Sequence, residues 1–134
     1  MRRFIIASHH KFADGLKKTL EFLLDKDNIY AVSAYVDDVP VEDQIKKVFS
    51  EFDDDDEVII MTDMLQGSVN QKFYPYINDH VHLICGINVP CAMSFVMQPD
   101  EKFTPKSINE IINYARSQII YVNDYRDGQN DDDE

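Results

Sequence analysis

Glycine is scarce in this chain, 4 residues among 134, and no glycine-rich loop occurs. That scarcity argues against a dinucleotide-binding turn or a P-loop, both of which need several glycines where the backbone wraps a phosphate. Cysteine is scarcer still. Cys85 and Cys91 lie in or beside apolar segments and make no framework of the kind that staples small secreted domains, so free, buried thiols are expected. Basic residues are also few, 13 against 25 acidic ones, for a formal charge of −12. Such a surface repels the phosphates of nucleic acid and the anionic face of a membrane, and both are disfavoured as partners. No apolar run approaches the ~20 residues that a membrane-spanning helix needs. The first residues enter a strand pattern and not the apolar stretch of a signal peptide, so no membrane insertion and a cytoplasmic address are expected. Nothing repeats internally.

What is present is a regular alternation. With 44% hydrophobic residues, the chain can build one sizeable core but is too short to argue for two. A strand is predicted at 3 to 8, followed by a helix with Phe12, Leu16, Leu20, Leu23 and Leu24 on one stripe, ending near Asp27-Asn28. Ile29 to Val36 carries apolar residues on both faces and reads as a strand covered on both sides. Pro40 opens a second helix to about residue 52, with Val41, Ile45, Val48, Phe49 and Phe52 at helical spacing and Glu42 and Asp43 in its first turn. Val58 to Thr62 is a third strand. Ser68 to about Asn78 is amphipathic, with Val69, Phe73 and Ile77 as its buried line, and Pro75 implies a kink or an early end. His80 to Ile87 is the fourth strand. A short apolar segment, Cys91 to Met97, follows Asn88-Val89-Pro90 and ends at Pro99, and Thr104-Pro105 opens a last helix with Ile108, Ile111, Ile112, Ala115 and Ile119 on its stripe.

The expected fold is therefore α/β, an open and mainly parallel four-stranded sheet of order 2-1-3-4 with helices on both faces, an added edge strand being left open. One domain should cover residues 1–125. Residues 126–134 contain no apolar side chain and end Asp-Asp-Asp-Glu, so they cannot offset their ordering entropy, and a disordered acidic tail is expected.

Two clusters invite a metal reading. The run Asp53-Asp54-Asp55-Asp56 lacks the interleaved spacing of a calcium loop and reads better as a solvated connection before the third strand. His80, His82, Cys85 and Cys91 could suggest zinc, but on a strand His82 and Cys85 are an odd number apart and point to opposite faces. No metal is expected at either place.

The ends of the first and third strands carry the chemistry. Phe4-Ile5-Ile6-Ala7 runs into Ser8-His9-His10, and Val58-Ile59-Ile60-Met61-Thr62 runs into Asp63, then Gln66-Gly67-Ser68. In order 2-1-3-4 these strands are neighbours, and their carboxyl ends border the crevice where open α/β sheets place ligands. His9 and Asp63 could then meet beside a helix start. Each has a plainer reading: many strand-end histidines are structural or exposed, and Asp63 and Ser68 could serve only as helix or turn caps. His10, the neighbour on an extended backbone, should point away from His9 and form a rim or surface residue. Asn88 and Pro90 could do no more than shape a turn.

Phe4 to His9 with its following helix, Met61-Thr62-Asp63 leading to Gly67-Ser68, and Cys85-Gly86-Ile87-Asn88-Val89-Pro90 together resemble the IIA component of the mannose-family sugar phosphotransferase system. The resemblance covers about residues 3 to 120. It implies that His9 accepts a phosphoryl group from the phosphocarrier protein HPr and passes it to a IIB component, which phosphorylates sugar during uptake. Asp63 matches the aspartate that orients the imidazole, and Gly67 and Ser68 match the turn beside the phosphoryl group. Three positions depart from the family pattern. His10 stands where the family usually has glycine, Gln66 precedes Gly67 where two glycines are frequent, and Val69 replaces a proline that often follows the serine.

In the implied mechanism, one imidazole nitrogen attacks phosphorus while Asp63 accepts a hydrogen bond from the other, fixing the tautomer and stabilising the positive ring. Amides at the start of the Ser68 helix and the Ser68 hydroxyl would bind phosphoryl oxygens. No cofactor is then needed. The resemblance also implies a homodimer, and the apolar segment 91–97 with Phe103 is more hydrophobic than a small monomer's edge requires. No IIB sequence follows residue 134, so the acceptor is expected on a separate chain. Two alternatives share this fold: the phosphoryl-donor subunit of dihydroxyacetone kinase, and a regulatory domain that has lost transfer.

Overall fold

The computed structural model describes residues 1–125; the tail expected at 126–134 lies outside them. Four strands form, β1 (Arg2–His9), β2 (Ile29–Ala34), β3 (Glu57–Thr62) and β4 (Val81–Cys85). All pairs are parallel, in the order β2-β1-β3-β4, and among the described residues this sheet has no fifth strand. β1 is central because Phe4 to Ala7 are wholly buried. Phe4 and Ile6 face one layer and Ile5 and Ala7 the other, the near-continuous apolar run that a strand covered on both faces requires.

Helices α1 (Phe12–Leu23), α4 (Val89–Val96) and α5 (Pro105–Ser117) cover the face of Phe4, Ile6, Ile59 and Met61. The opposite face, with Ile5, Val58 and Ile60, is covered by α2 (Val41–Phe49) and α3 (Ser68–Lys72). The helix α1 stops at Leu23, short of the expected Asp27-Asn28. Its buried line is Ala13, Leu16 and Leu20, while Phe12 and Leu23 are about half exposed. The small Ala13, and not Phe12, takes the place against the sheet. In α5, Ile111 and Ala115 are buried, but Ile119 lies past the helix end and is exposed.

Three connections differ from expectation. β2 ends at Ala34, because Tyr35 has φ 66° and cannot continue an extended strand. After α3 the chain makes a 3-10 turn, Tyr74–Tyr76, at Pro75, which has no N–H to extend an α-helical ladder. The buried line there is Val69 and Phe73, with Ile77 exposed. The apolar segment after β4 is the helix α4: Asn88 Oδ1 accepts the Cys91 N–H at 2.8 Å, and Pro90 sits in the first turn. Asn88 and Pro90 thus do shape the start of an element.

Cys91, Ala92, Phe95, Val96 and Phe103 are buried in the chain's own core, so the hydrophobicity that suggested a second copy is already satisfied within one molecule. Both cysteines are free. Burial pushes the Cys91 thiol up to about 11, whereas Cys85 is only half-buried.

The acidic run is a loop, as expected, but Asp56 is not solvated. It is 2% exposed, lies 3.0 Å from Arg3 Nε and 3.2 Å from the amino terminus, and accepts the Asp53 N–H. The carboxylates of Asp53, Asp55 and Asp56 do gather within 4.8 Å of one another. Two cationic groups already balance the buried member. Among the described residues His80, His82, Cys85 and Cys91 make no such cluster. No helix of the described residues is long and apolar enough to cross a membrane.

Candidate functional site at the carboxyl end of the sheet

Ala7 pairs with Thr62 in the β1–β3 register, so the two chains leave the sheet side by side, one carrying His9 and the other Asp63. A single carboxylate oxygen, Asp63 Oδ2, accepts both the His9 backbone N–H and the ring at Nδ1, each at 2.9 Å. A carboxylate oxygen accepts, so neutral His9 carries its proton on Nδ1 and keeps the lone pair on Nε2. These two hydrogen bonds fix strand end and ring together. Asp63 Oδ1 is buried without a hydrogen-bond partner among the described residues, which leaves the carboxylate's charge directed mainly at the imidazole. The His9 side chain is 36% exposed and Asp63 18%, so the ring is more open to solvent than its orienting acid.

Gly67 lies against the ring. A Cβ built on Gly67 would stand 2.7 Å from His9 Cε1, closer than such atoms approach, and a tight 3.1 Å from Nε2. Its φ of 167° is ordinary extended backbone, so the position needs glycine for space alone. Ser68 then begins α3 and is exposed. The helix has only five residues and no side-chain cap at its start. The expected dipole contribution is therefore small, and what remains are the first-turn amides that no helix can satisfy internally. Asn70, buried, accepts the Thr62 hydroxyl at 2.9 Å and pins α3 to the end of β3.

Ser8 builds the turn after β1. Its hydroxyl accepts the Ala13 N–H at 2.7 Å, capping α1 from the strand, and donates to the His10 carbonyl at 3.1 Å. His10 is exposed, as expected, but not by strand alternation: its φ is 59°. His10 thus holds a left-handed backbone, a conformation that favours glycine. Of the four residues inferred from sequence, Asp63 and Gly67 meet the His9 ring, and Ser68 follows Gly67 in the chain.

The apolar pattern places Tyr35 within the second strand and gives no sign of a further neighbour, yet its ring centroid lies 5.9 Å from that of His9, and its hydroxyl is hydrogen-bonded with Ser68 Oγ. An aromatic residue in an apolar run carries no signal of leaving the strand, so its sequence context could not have found it.

Comparison with known proteins shows the family and the fold. The sequence pattern of the family described as the PTS system fructose IIA component, of the EIIA-man type, matches residues 3–129. A Klebsiella pneumoniae protein described as a phosphoenolpyruvate-dependent sugar phosphotransferase system permease is 35% identical, with 91% of each chain covered and a TM-score of 0.82. The PTS IIA protein associated with the fucose utilization operon of Streptococcus pneumoniae is 25% identical, over 92% of this chain and 95% of that one, with a TM-score of 0.78. A mannose/sorbose-specific IIA subunit from Enterococcus faecalis, 14% identical over 89% of this chain and 92% of its own, shares the fold at a TM-score of 0.71. No curated protein matches the chain. With nearly its whole length matched, this chain belongs to the mannose/fructose-type IIA family of the sugar phosphotransferase system.

Proposed function

We propose that His9 is a transient phosphoryl carrier, loaded on Nε2 by the phosphocarrier protein HPr and unloaded to a separate IIB component. The observation that supports this most is the 2.9 Å contact between His9 Nδ1 and Asp63 Oδ2, which leaves Nε2 as the available nucleophile. In the loading step the Nε2 lone pair forms the N–P bond as the bond from phosphorus to the donor breaks. The ring becomes positive, and the Asp63 carboxylate stabilises it. Transfer to the acceptor reverses these changes, and Nε2 regains its lone pair. Gly67 provides room beside Nε2, and Ser68 with the neighbouring amides supplies donors to the phosphoryl oxygens.

The half-open position of His9 suits a phosphoryl group delivered by another protein, since no deep pocket has to close on it. The charge of −12 favours partners with basic faces and makes their association salt-sensitive. A homodimer remains part of this reading on the family resemblance, and α4 no longer argues for it.

The test is label transfer from phosphoenolpyruvate through the general phosphocarrier proteins to the full chain. Acid-labile, alkali-stable label that disappears in His9→Ala is the expected result. Mass spectrometry that finds the phosphoryl group on His10 overturns the assignment of roles. No label from any donor pairing supports instead a regulatory domain of the same fold.

A further inference from the structure

Tyr35 has no part in the transfer as described, and three features single it out. Its φ of 66° is one that bulky side chains rarely adopt, and such positions concentrate at functional sites. It follows β2, on the flank of β1 opposite to β3 and Asp63, so His9 stands between the two. Its hydroxyl reaches across the site to Ser68 Oγ, while its ring, tilted by 34° to the imidazole, borders His9. Ring packing alone would need no hydroxyl.

We propose that Tyr35 is a positioning residue for phosphoryl transfer, orienting the Ser68 hydroxyl so that its proton is directed at the phosphoryl group; this rests on the reading of His9 as the carrier. Tyr35 and Ser68 have one hydroxyl proton each, and with His9 free the bond between them can run in either direction. A phosphoryl group on Nε2 stands beside Gly67, one residue from Ser68, and its ionised oxygens accept more strongly than a phenol oxygen. Ser68 then donates to the phosphoryl group and accepts from Tyr35. The two O–H groups point the same way along a short chain, each polarising the next. Tyr35 keeps its proton throughout, and the only bonds exchanged are those to phosphorus.

A double-mutant cycle on the full-length chain tests this, with phosphoenolpyruvate and the phosphocarrier proteins as the donor system and the initial rate of labelling as readout. Tyr35→Phe, which keeps the ring, should label about 5- to 10-fold more slowly, the scale of one neutral hydrogen bond. Ser68→Ala should lose roughly 100-fold. The double variant should be no slower than Ser68→Ala alone, because the phenol acts only through the serine. Tyr35→Gly, which relaxes the left-handed backbone, should be at least as slow as Tyr35→Phe and guards against a folding artefact. Wild-type rates in Tyr35→Phe, or losses that multiply in the double variant, overturn the proposal while His9 still takes label. A wild-type chain that takes no label, or label that survives His9→Ala, instead overturns the carrier reading beneath it.

Discussion

Gly67 is where a single atom decides the site. Its backbone is extended and would accept alanine without strain, so the methyl of Gly67→Ala acts purely by its collision with a ring that Asp63 holds in place. Phosphoryl transfer should fall by at least about 10-fold with thermal stability little changed, since displacements near 1 Å at a reacting group can cost about 100-fold. Labelling rates and melting curves on the same sample separate the two effects. At Cys91 the environment acts in the opposite sense, suppressing chemistry. Burial holds its thiol near 11, and the thiolate is the reactive form. A thiol reagent at pH 8 should leave Cys91 unmodified in the folded protein and modify it after denaturation, which peptide mapping would reveal.

Among the elements, α5 is fixed most visibly by its own first residues. Thr104 Oγ1 accepts the Ser107 N–H at 3.1 Å, and Ser107 Oγ accepts the Thr104 N–H at 2.9 Å, a reciprocal cap that satisfies two otherwise orphaned donors. Thr104→Ala should lower stability by about 1 kcal/mol without affecting transfer, because the neighbouring Phe103 N–H is bonded to Glu57 at the start of β3, the end of the sheet opposite His9. Denaturant unfolding checks the first expectation and labelling the second. α3 is the contrasting case. Five residues long and followed by Pro75, it has little helical stability of its own and is held by the Thr62–Asn70 hydrogen bond and by buried Val69 and Phe73. Its position beside His9 is thus a consequence of tertiary packing. Pro75 announced an early end in the sequence, whereas the helix at 89–96 went unread because its eight residues show an apolar run without a polar face.

For the molecule as a whole, the response to acid should come in two stages. Burial holds His82 below its ordinary value of 6.5, with Lys102 and His80 adding to this and Glu57 and Asp79 opposing it. The unfolded chain then binds a proton that the folded chain resists, so stability falls as pH drops below about 6.5. Asp56 is the second stage. Burial alone would raise it, but the Asp53 N–H, Arg3 and the amino terminus together hold it below 3.8, so its contribution is present above about pH 4 and lost beneath. Melting temperature measured from pH 8 to pH 3 should decline in both windows, and His82→Gln should flatten the upper one alone.

The strand order and the pairing of layers were legible because both follow from local pattern. Buried runs such as Phe4 to Ala7 with intervening amphipathic segments admit few arrangements once crossovers are right-handed, and β2-β1-β3-β4 is one of them. His9 and Asp63 stood out for the same reason, one ending its strand and the other directly following the adjacent one. The sequence by itself therefore determined the architecture and the end of the sheet at which His9 meets Asp63. Only the tertiary structure decided the left-handed turns at His10 and Tyr35, the burial of Asp56 and the reach of the Tyr35 hydroxyl to Ser68. A period of two or of 3.6 residues reports which face is buried, but a backbone torsion at a strand end is set by what it must meet across the fold.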